Sequence, residues 1–201
     1  MKKALNLIMA AGMLCACAGP VSLENGGEFV LDSWTLNQEG SLQHYDVEVP
    51  STVAGVLFDQ GLLGEDLFEG LNYYQADKSI FDEAWIYKTQ FNMDVVEDQN
   101  YELVFNGLNY YADITLNDVC IATSDTTYGV FIKRQYDVTN LLTDVNNLEV
   151  KIRRAQWGDL NIGFVDWNPR PVDESMGILR PVWLRYSDAV SLTDPAVRSK
   201  V

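Results

Sequence analysis

Hydrophobic and polar residues alternate along much of the chain after residue 85. In the first such segment Trp85, Tyr87 and Phe91 fall on one face, while Lys88 and Gln90 fall on the other. This period of two is typical of a half-buried β-strand. The same alternation recurs at residues 101–105, 112–116, 119–121, 148–152 and 182–186. Short strands with polar turns between them predict an antiparallel β-sandwich.

The segment from residue 52 to residue 82 departs from this alternation. Thr52 is a helix-capping residue, Val53, Val56 and Leu57 share one helical face, and a glycine follows at residue 61. These signals predict one short helix over residues 52–60. Residues 62–82 have no steady period and predict a long ordered loop, of the kind that often forms the rim of a functional end.

The first 17 residues have the features of a bacterial lipoprotein signal. Lys2 and Lys3 precede an apolar run that ends near Leu14, and Cys17 follows a small-residue cleavage site. The run is too short to span a membrane. We therefore expect an exported lipoprotein at the periplasmic or cell-surface face of the outer membrane, attached only through lipid on Cys17. Cys15 is unusual at such a site, which leaves an ordinary secretory signal as the alternative.

Composition narrows the class of partner. The sequence has 14 Lys and Arg against 29 Asp and Glu, a formal net charge of −15 at pH 7. Such a balance repels phosphate backbones and anionic lipid surfaces, so nucleic acid is not an expected partner. With 47% apolar residues, the chain is large enough for one domain with a real core.

Histidine and cysteine offer little chemistry. The single histidine, His44, is expected on the surface or in a turn. With only this histidine, neither a histidine-based metal site nor a Ser-His-Asp triad is expected. Once Cys15 is removed and Cys17 is acylated, Cys120 is alone and is expected to be a small buried residue of a strand. No glycine spacing fits a nucleotide motif, and no acidic spacing fits a calcium loop. We expect no cofactor and no metal.

Carboxylates are abundant, and glycoside hydrolysis needs two of them flanking one bond. Abundance alone does not identify such a pair. Three acidic pairs are expected in solvated polar loops: Glu65-Asp66, Asp82-Glu83 and Asp173-Glu174.

Asp166 differs from the other acids because aromatic and proline residues surround it. These neighbours would stiffen the loop and partly desolvate the carboxyl group. Such an acid suits a hydrogen bond to a sugar hydroxyl, while Trp167 offers an apolar face to the C–H groups of the sugar. The structural alternative is that Trp167 and Trp183 are core residues and that Asp166 only caps a turn.

Several segments, in the same order along the chain, resemble the N-terminal sugar-binding domain of glycoside hydrolase family 2. They are residues 49–62, 85–91, 103–108, 112–117, 136–139, and the Asp-Trp-Asn-Pro motif at 166–169 followed by 176–184. Within the family they look most like the β-mannosidase and exo-β-glucosaminidase branch. The match runs from about residue 28 to the end.

The resemblance implies an all-β, antiparallel jelly-roll sandwich of the galactose-binding-like kind with one short helix. In that branch the sandwich precedes immunoglobulin-like domains and a catalytic (β/α)8 barrel. The acid of its Asp-Trp-x-Pro loop reaches into the pocket of the barrel and contacts the terminal sugar. This implies substrate-binding roles for Asp166, Trp167 and Asn168. Some members have Gly where Asn168 stands, which leaves the glycan preference open.

The resemblance implies no catalytic residue in this chain, because both catalytic glutamates of the family lie on the barrel. The sequence also has no Asn-Glu dipeptide, the local signature of the acid/base glutamate. We expect a tether at residues 18–27, the sandwich at 28–188, and a linker at 189–201 that leads toward a missing next domain.

The expected function is non-catalytic recognition of a glycan with a terminal β-linked sugar, on a truncated or split chain that is inactive alone. Two alternatives stay open. One is a free-standing lectin-like surface lipoprotein, and the other is a subunit that docks onto a separately encoded catalytic barrel.

Overall fold

The computed structural model describes residues 26–162, 167–192 and 195–200. The expected signal segment with Cys17, the tether up to residue 25, and Asp166 lie outside these ranges, so the expectations for them stay predictions. No helix among the described residues is long and apolar enough to cross a membrane.

The described residues form short strands connected by turns, with little helix. The strands are β1 (Gly26–Leu31), β2 (Ser33–Gln38), β3 (Tyr45–Glu48), β4 (Ser51–Thr52), β5 (Trp85–Asn92), β6 (Asn100–Phe105), β7 (Leu108–Asn109), β8 (Tyr111–Leu116), β9 (Val119–Ala122), β10 (Arg134–Asp137), β11 (Val145–Arg153), β12 (Gly177–Ile178) and β13 (Val182–Ser187). The helices are α1 (Val53–Asp59) and the single turn α2 (Asn72–Gln75), with a 3-10 turn at Ser79–Phe81.

These strands pair into two large antiparallel sheets and one small one. The four-stranded sheet has the order β1-β13-β6-β10, and the six-stranded sheet has the order β3-β2-β5-β11-β8-β9. The small sheet, β4-β12-β7, joins segments that are far apart in the sequence. The predicted all-β antiparallel sandwich is confirmed.

Side chains from both large sheets form one hydrophobic core. On the six-stranded sheet, Val150 lies opposite Tyr87 on one neighbouring strand and Ile114 on the other, and all three are fully buried. Leu103 and Leu184 face them from paired strands of the four-stranded sheet. Each such side chain contributes about 1.5–3 kcal/mol through its removal from water. The period of two in the sequence therefore marks the strands that hold the sandwich together.

The alternation missed the strands whose faces are least buried. Strand β2 buries only Trp34 and Leu36, and neither β3 nor β10 buries a residue fully. Strand β1 begins at Gly26, slightly before the expected start of the sandwich, and pairs with β13. Without a continuous buried face, these segments carry too weak a pattern to predict.

The predicted helix is confirmed as α1. The Thr52 hydroxyl accepts a hydrogen bond from the Gly55 N–H at 3.0 Å, and Val53, Val56 and Leu57 are buried. This is the capping arrangement that satisfies a free N–H group at the start of a helix. The following loop contains α2 and the 3-10 turn, so it has more local structure than its irregular pattern indicates.

Cys120 is exposed, so the expectation that it is buried was wrong. It lies on β9, an edge strand whose pairing with β8 shifts between Ile114 and Thr115. The shift interrupts the alternation of inward and outward side chains, so that Val119 is also exposed. His44 is exposed in a loop, as predicted.

We predict that Gly177→Ala destabilises the fold. A Cβ atom at this position of β12 would lie 2.3 Å from the Ser51 carbonyl oxygen and 2.8 Å from the Thr52 Cα. The expected loss in the free energy of unfolding is about 2 kcal/mol or more, measured by urea denaturation. The control is Gly40→Ala, where φ is +79° but no atom lies within 4 Å. Equal losses in the two variants would contradict the prediction.

Candidate functional site

The predicted site loop packs against the start of helix α1. Asp173 joins them, because its Oδ2 accepts a hydrogen bond from the Ala54 N–H and its Oδ1 accepts one from the Ser175 N–H, both at 2.8 Å. The first of these bonds satisfies a backbone donor that the helix itself leaves without a partner. The loop and the helix are therefore connected as one unit.

Asp173 is buried, with 1% of its surface exposed, so the expectation of a solvated loop for the pair Asp173-Glu174 was wrong. Burial raises the pKa of Asp173 from 3.8 to about 6, against the opposing effect of the two backbone hydrogen bonds. The negative charge of Glu174 adds a smaller upward effect on that pKa. The other two acidic pairs are exposed, as predicted.

Buried amide side chains hold the loop from the other side. Glu174 and Ser175 both have left-handed backbones, with φ of +55° and +58°. The side-chain amide of Asn109, which is fully buried, donates hydrogen bonds to both of their carbonyl oxygens at 2.9 and 2.8 Å. Asn161 donates another to the Glu174 carbonyl, at 3.0 Å. The unusual backbone is thus fixed by groups that have little freedom to move.

A groove of about 650 Å³ runs between α1, the loop that follows it, and residues 168–175. Its wall is aromatic: Phe58 lies against Phe68 with ring centroids 5.4 Å apart, and Phe68 stacks on Tyr73 at 6.3 Å. Tyr74 meets Tyr73 edge-on at 5.7 Å. We call this feature the aromatic groove. Most of its lining is apolar, and Asp59, Asn168 and Asp173 are among its polar lining residues.

Of the three predicted binding residues, the structure describes Trp167 and Asn168. Asn168 lines the groove, and Trp167, its neighbour in the chain, is 80% exposed. An exposed Trp167 is not a core residue, which contradicts the purely structural alternative for this position. Trp183 is half-buried on β13. Asp166 lies outside the described residues, and the binding roles of all three site residues stay predictions.

Sequence reasoning missed the aromatic wall of the groove. Phe58 is on the helix, whereas Phe68, Tyr73 and Tyr74 come from the loop that showed no period. A cluster of aromatic residues in a non-periodic loop is the signal that could have indicated a surface concavity there. Among the described residues, no group of three or more His, Cys, Asp or Glu side chains is arranged to hold a metal ion.

The family can be assigned by comparison with known proteins. The model for the "Glycosyl hydrolase 2 galactose-binding domain-like" family matches residues 34–159, more than half of the chain. The chain belongs to this family. The resemblance seen in the sequence motifs is thereby confirmed.

Relatives of this galactose-binding-like domain are exo-glycosidases. It is 27% identical to an exo-β-D-glucosaminidase of Hypocrea jecorina over 92% of this chain and 23% of that protein. It is 30% identical to a β-mannosidase of Rattus norvegicus over 75% of this chain and 16% of that protein. The crystal structure of an exo-chitosanase of Amycolatopsis orientalis matches with a TM-score of 0.74 and 26% identity, covering 82% of this chain and 21% of that one. The chain spans about a fifth of the length of these relatives.

We predict that Asp173 makes stability depend on pH. Its pKa in the folded protein, about 6, is above its ordinary value of 3.8, so the folded state holds this proton more tightly than the unfolded chain. The resulting stabilisation is fully present below pH 3.8 and is lost as the pH rises through about 6. The titration of Asp173 should make the free energy of unfolding, measured with urea, about 1 kcal/mol larger at pH 5 than at pH 7.5.

In Asp173→Asn that contribution should disappear, so the variant loses more stability at pH 5 than at pH 7.5. The titratable groups near Asp173 are Glu174 on the loop, Tyr73, and Tyr87 on β5. Glu65→Gln removes an exposed carboxylate and is the control, with an expected pH profile like that of the wild type. If the pH dependence of stability in Asp173→Asn were the same as in the wild type, the proton that causes this dependence would not be bound by Asp173.

Proposed function

We propose that this domain is the saccharide-recognition part of an exo-β-glycosidase of glycoside hydrolase family 2. The observation that carries the proposal is the 80% exposed Trp167, which lies next in the chain to Asn168, a residue of the aromatic groove. An exposed indole beside an amide is suited to a sugar. The indole ring packs on the C–H groups of the sugar, while the side-chain amide forms hydrogen bonds with its hydroxyl groups. The side chain of Asp166 is proposed to add a carboxylate to this set.

The anchoring of the loop at residues 173–175 supports a binding role. Asp173 and Asn109 fix the backbone there through buried hydrogen bonds, so this end of the loop loses little freedom when a sugar binds. Ordering of side chains and loops is a major cost of binding, and a loop that is ordered beforehand avoids part of it. The same buried bonds keep Asp173 itself away from a reacting bond.

We propose that the domain contributes contacts and not the groups that break the glycosidic bond. Hydrolysis needs two carboxylates on either side of that bond. The resemblance assigns both to a barrel domain, and the sequence has no Asn-Glu dipeptide. Asp173, the carboxylate with the raised pKa at the groove, accepts backbone hydrogen bonds at both oxygens.

A terminal β-linked glucosamine is the sugar that we propose. Relatives include both exo-β-D-glucosaminidases and β-mannosidases. The formal net charge of −15 favours the first class, since an amino sugar carries a positive charge when protonated. A surface potential of that sign raises the local concentration of a cationic glycan and its rate of encounter.

Titration of the full chain with methyl β-D-glucosaminide and with methyl β-D-mannoside tests the proposal, with saturation-transfer NMR as the readout. Weak binding, on the order of millimolar, is expected because half of a binding pocket gives few contacts. Trp167→Ala should weaken it about tenfold, the equivalent of about 1.4 kcal/mol from a lost ring contact. Leu42→Ala is the matched control, because Leu42 is 98% exposed and lies outside both loop and groove.

Two results would contradict this proposal. One is sugar binding that Trp167→Ala leaves unchanged. The other is release of nitrophenol from an aryl β-glucosaminide or β-mannoside by the full chain, if that activity disappears in Asp166→Asn. Micromolar sugar binding by this chain alone would instead favour the free-standing lectin-like alternative.

The aromatic groove also favours a docking role. Leu62, Phe68, Leu71 and Tyr74 are between 48% and 70% exposed in or next to the groove. A contiguous apolar patch of this kind is characteristic of a surface that packs against another protein surface. Because the relatives are several times longer than this chain, we propose that the patch packs against a catalytic domain of this family.

We predict that the double variant Phe68→Ser/Leu71→Ser loses association with such a domain. A suitable partner is the exo-chitosanase of Amycolatopsis orientalis from which the matching domain has been removed, and sedimentation velocity measures the complex. Leu42→Ser removes a leucine that is more exposed, at 98%, and lies away from the groove, so it should leave association intact. Absence of any complex, or a complex that the double variant still forms, would contradict docking through this patch.

A further inference from the structure

A second concavity, of about 600 Å³, opens where strand β8 begins and strand β11 ends. Tyr110, Tyr111 and Tyr128 form one side of it, and Arg153, Gln156 and Asp159 form the other. We call it the tyrosine pocket. It shares no lining residue with the aromatic groove.

The three tyrosine rings form a stepped apolar wall. Tyr110 is 6% exposed at the base, Tyr111 is half-buried, and Tyr128 is 49% exposed at the mouth. The ring centroids of Tyr110 and Tyr111 are 4.9 Å apart, and those of Tyr111 and Tyr128 are 6.2 Å apart. Because the ring planes of neighbouring tyrosines are inclined by 71° and 43°, the C–H face of a pyranose ring would pack on the most exposed of them, Tyr128.

Polar groups converge opposite the rings. The Tyr111 hydroxyl lies 3.0 and 2.9 Å from the two carboxylate oxygens of Asp159 and donates to them. The Gln156 N–H donates to the same carboxylate at 2.7 Å. The hydrogen bond from the Tyr111 hydroxyl to Asp159 raises the pKa of Tyr111, so the phenol stays protonated. The hydroxyl oxygen and the carboxylate both keep lone pairs that can accept hydrogen bonds from ligand hydroxyls.

The positive charge in the pocket is already paired. Arg153 donates to the Asp113 carboxylate at 3.2 Å and to the Ser124 hydroxyl at 2.5 Å. With Asp125 and Asp159 also in the lining, the pocket has no surplus of positive charge for an anionic ligand. Its chemistry fits a neutral or amino sugar.

The segment that contains Tyr128 is fixed to the sheet. Tyr128 forms an isolated antiparallel bridge with Tyr111, and Arg134 donates to the Tyr128 carbonyl oxygen at 2.5 Å. Arg134 also donates to the Thr126 carbonyl oxygen, at 3.1 Å. A pocket held in this way loses little freedom when it binds a ligand.

Trp157 lies on a tight turn whose two ends line the pocket. The Asp159 N–H donates a hydrogen bond to the Gln156 carbonyl oxygen at 3.1 Å. Gly158 has a φ of +96°, a backbone conformation that glycine adopts readily. Trp157 is 96% exposed and therefore does not contribute to the core. Trp157 does not itself line the pocket, but both Gln156 before it and Asp159 after it do, so a sugar unit that extends out of the pocket could pack on the exposed indole.

We propose that the tyrosine pocket is a second saccharide-binding site, which takes a neutral or amino sugar unit of an oligosaccharide. Tyr128 and Trp157 pack against the sugar ring, and the Tyr111–Asp159 pair accepts its hydroxyl hydrogens. The proposal does not depend on the role of the Trp167 loop, because it rests on different residues and a different concavity.

The test is a titration of the isotope-labelled full chain with a β-1,4-linked glucosamine tetramer and with β-1,4-mannotetraose, followed by amide chemical shifts and calorimetry. Shifts are expected at Tyr128 and Gly158. Tyr128→Ala and Trp157→Ala should each weaken binding about tenfold, and Tyr111→Phe, which keeps the ring and removes the hydroxyl, about threefold. Trp157→Ala should not alter the thermal unfolding temperature, since the side chain is almost fully exposed.

Trp167→Ala and Leu42→Ala are the controls, and both should leave the shifts at Tyr128 and Gly158 unchanged. If saturating tetramer causes no shift at these two amides, or if Tyr128→Ala and Trp157→Ala bind like the wild type, the proposal is wrong. Sugar binding that is lost only in Trp167→Ala would overturn the second site and leave the proposed function intact. Sugar binding that is lost only in Tyr128→Ala and Trp157→Ala would support the second site and contradict the proposed role of Trp167.

Discussion

The candidate site depends on two buried polar side chains that hold one loop. Asp173 accepts hydrogen bonds from the helix α1 backbone and from its own loop, and Asn109 donates to two carbonyl oxygens of that loop. A buried polar group without a partner costs on the order of 1–3 kcal/mol, so separating the loop from these groups is unfavourable. This constraint holds Asp173 and Ser175 in the lining of the aromatic groove, which Asn168 also lines.

The fold could be predicted wherever one face of an element is buried along its whole length. Strands β5, β8 and β11 lie side by side in the middle of the six-stranded sheet, and their alternation was visible in the sequence. Helix α1 was predicted because Thr52 caps it. The edge strand β9 was predicted as a strand, but its pairing shift exposed Cys120, which the pattern alone could not reveal.

The candidate site was only partly predictable, because its parts meet through distant contacts. Trp167 and Asn168 stand in a recognisable motif, so sequence alone could nominate them. Asp173 accepts a hydrogen bond from the backbone of Ala54, which is 119 positions earlier in the chain. The neighbouring sequence of Asp173 therefore gives no sign that this residue is buried. The tyrosine pocket forms because Arg153 lies directly opposite Tyr111 in the pairing of β11 with β8. That register is a property of the folded sheet.

The two most exposed tryptophans are Trp157 and Trp167. Trp157 is followed by Asp159, which accepts a hydrogen bond from the Tyr111 hydroxyl, and Trp167 is followed by Asp173, which accepts one from the Ala54 N–H. Under the two proposals each tryptophan belongs to a separate sugar site, so one domain binds two glycan molecules independently. A surface that carries many glycan chains would then hold the domain more tightly than either site alone could, because the second contact forms at a high effective concentration.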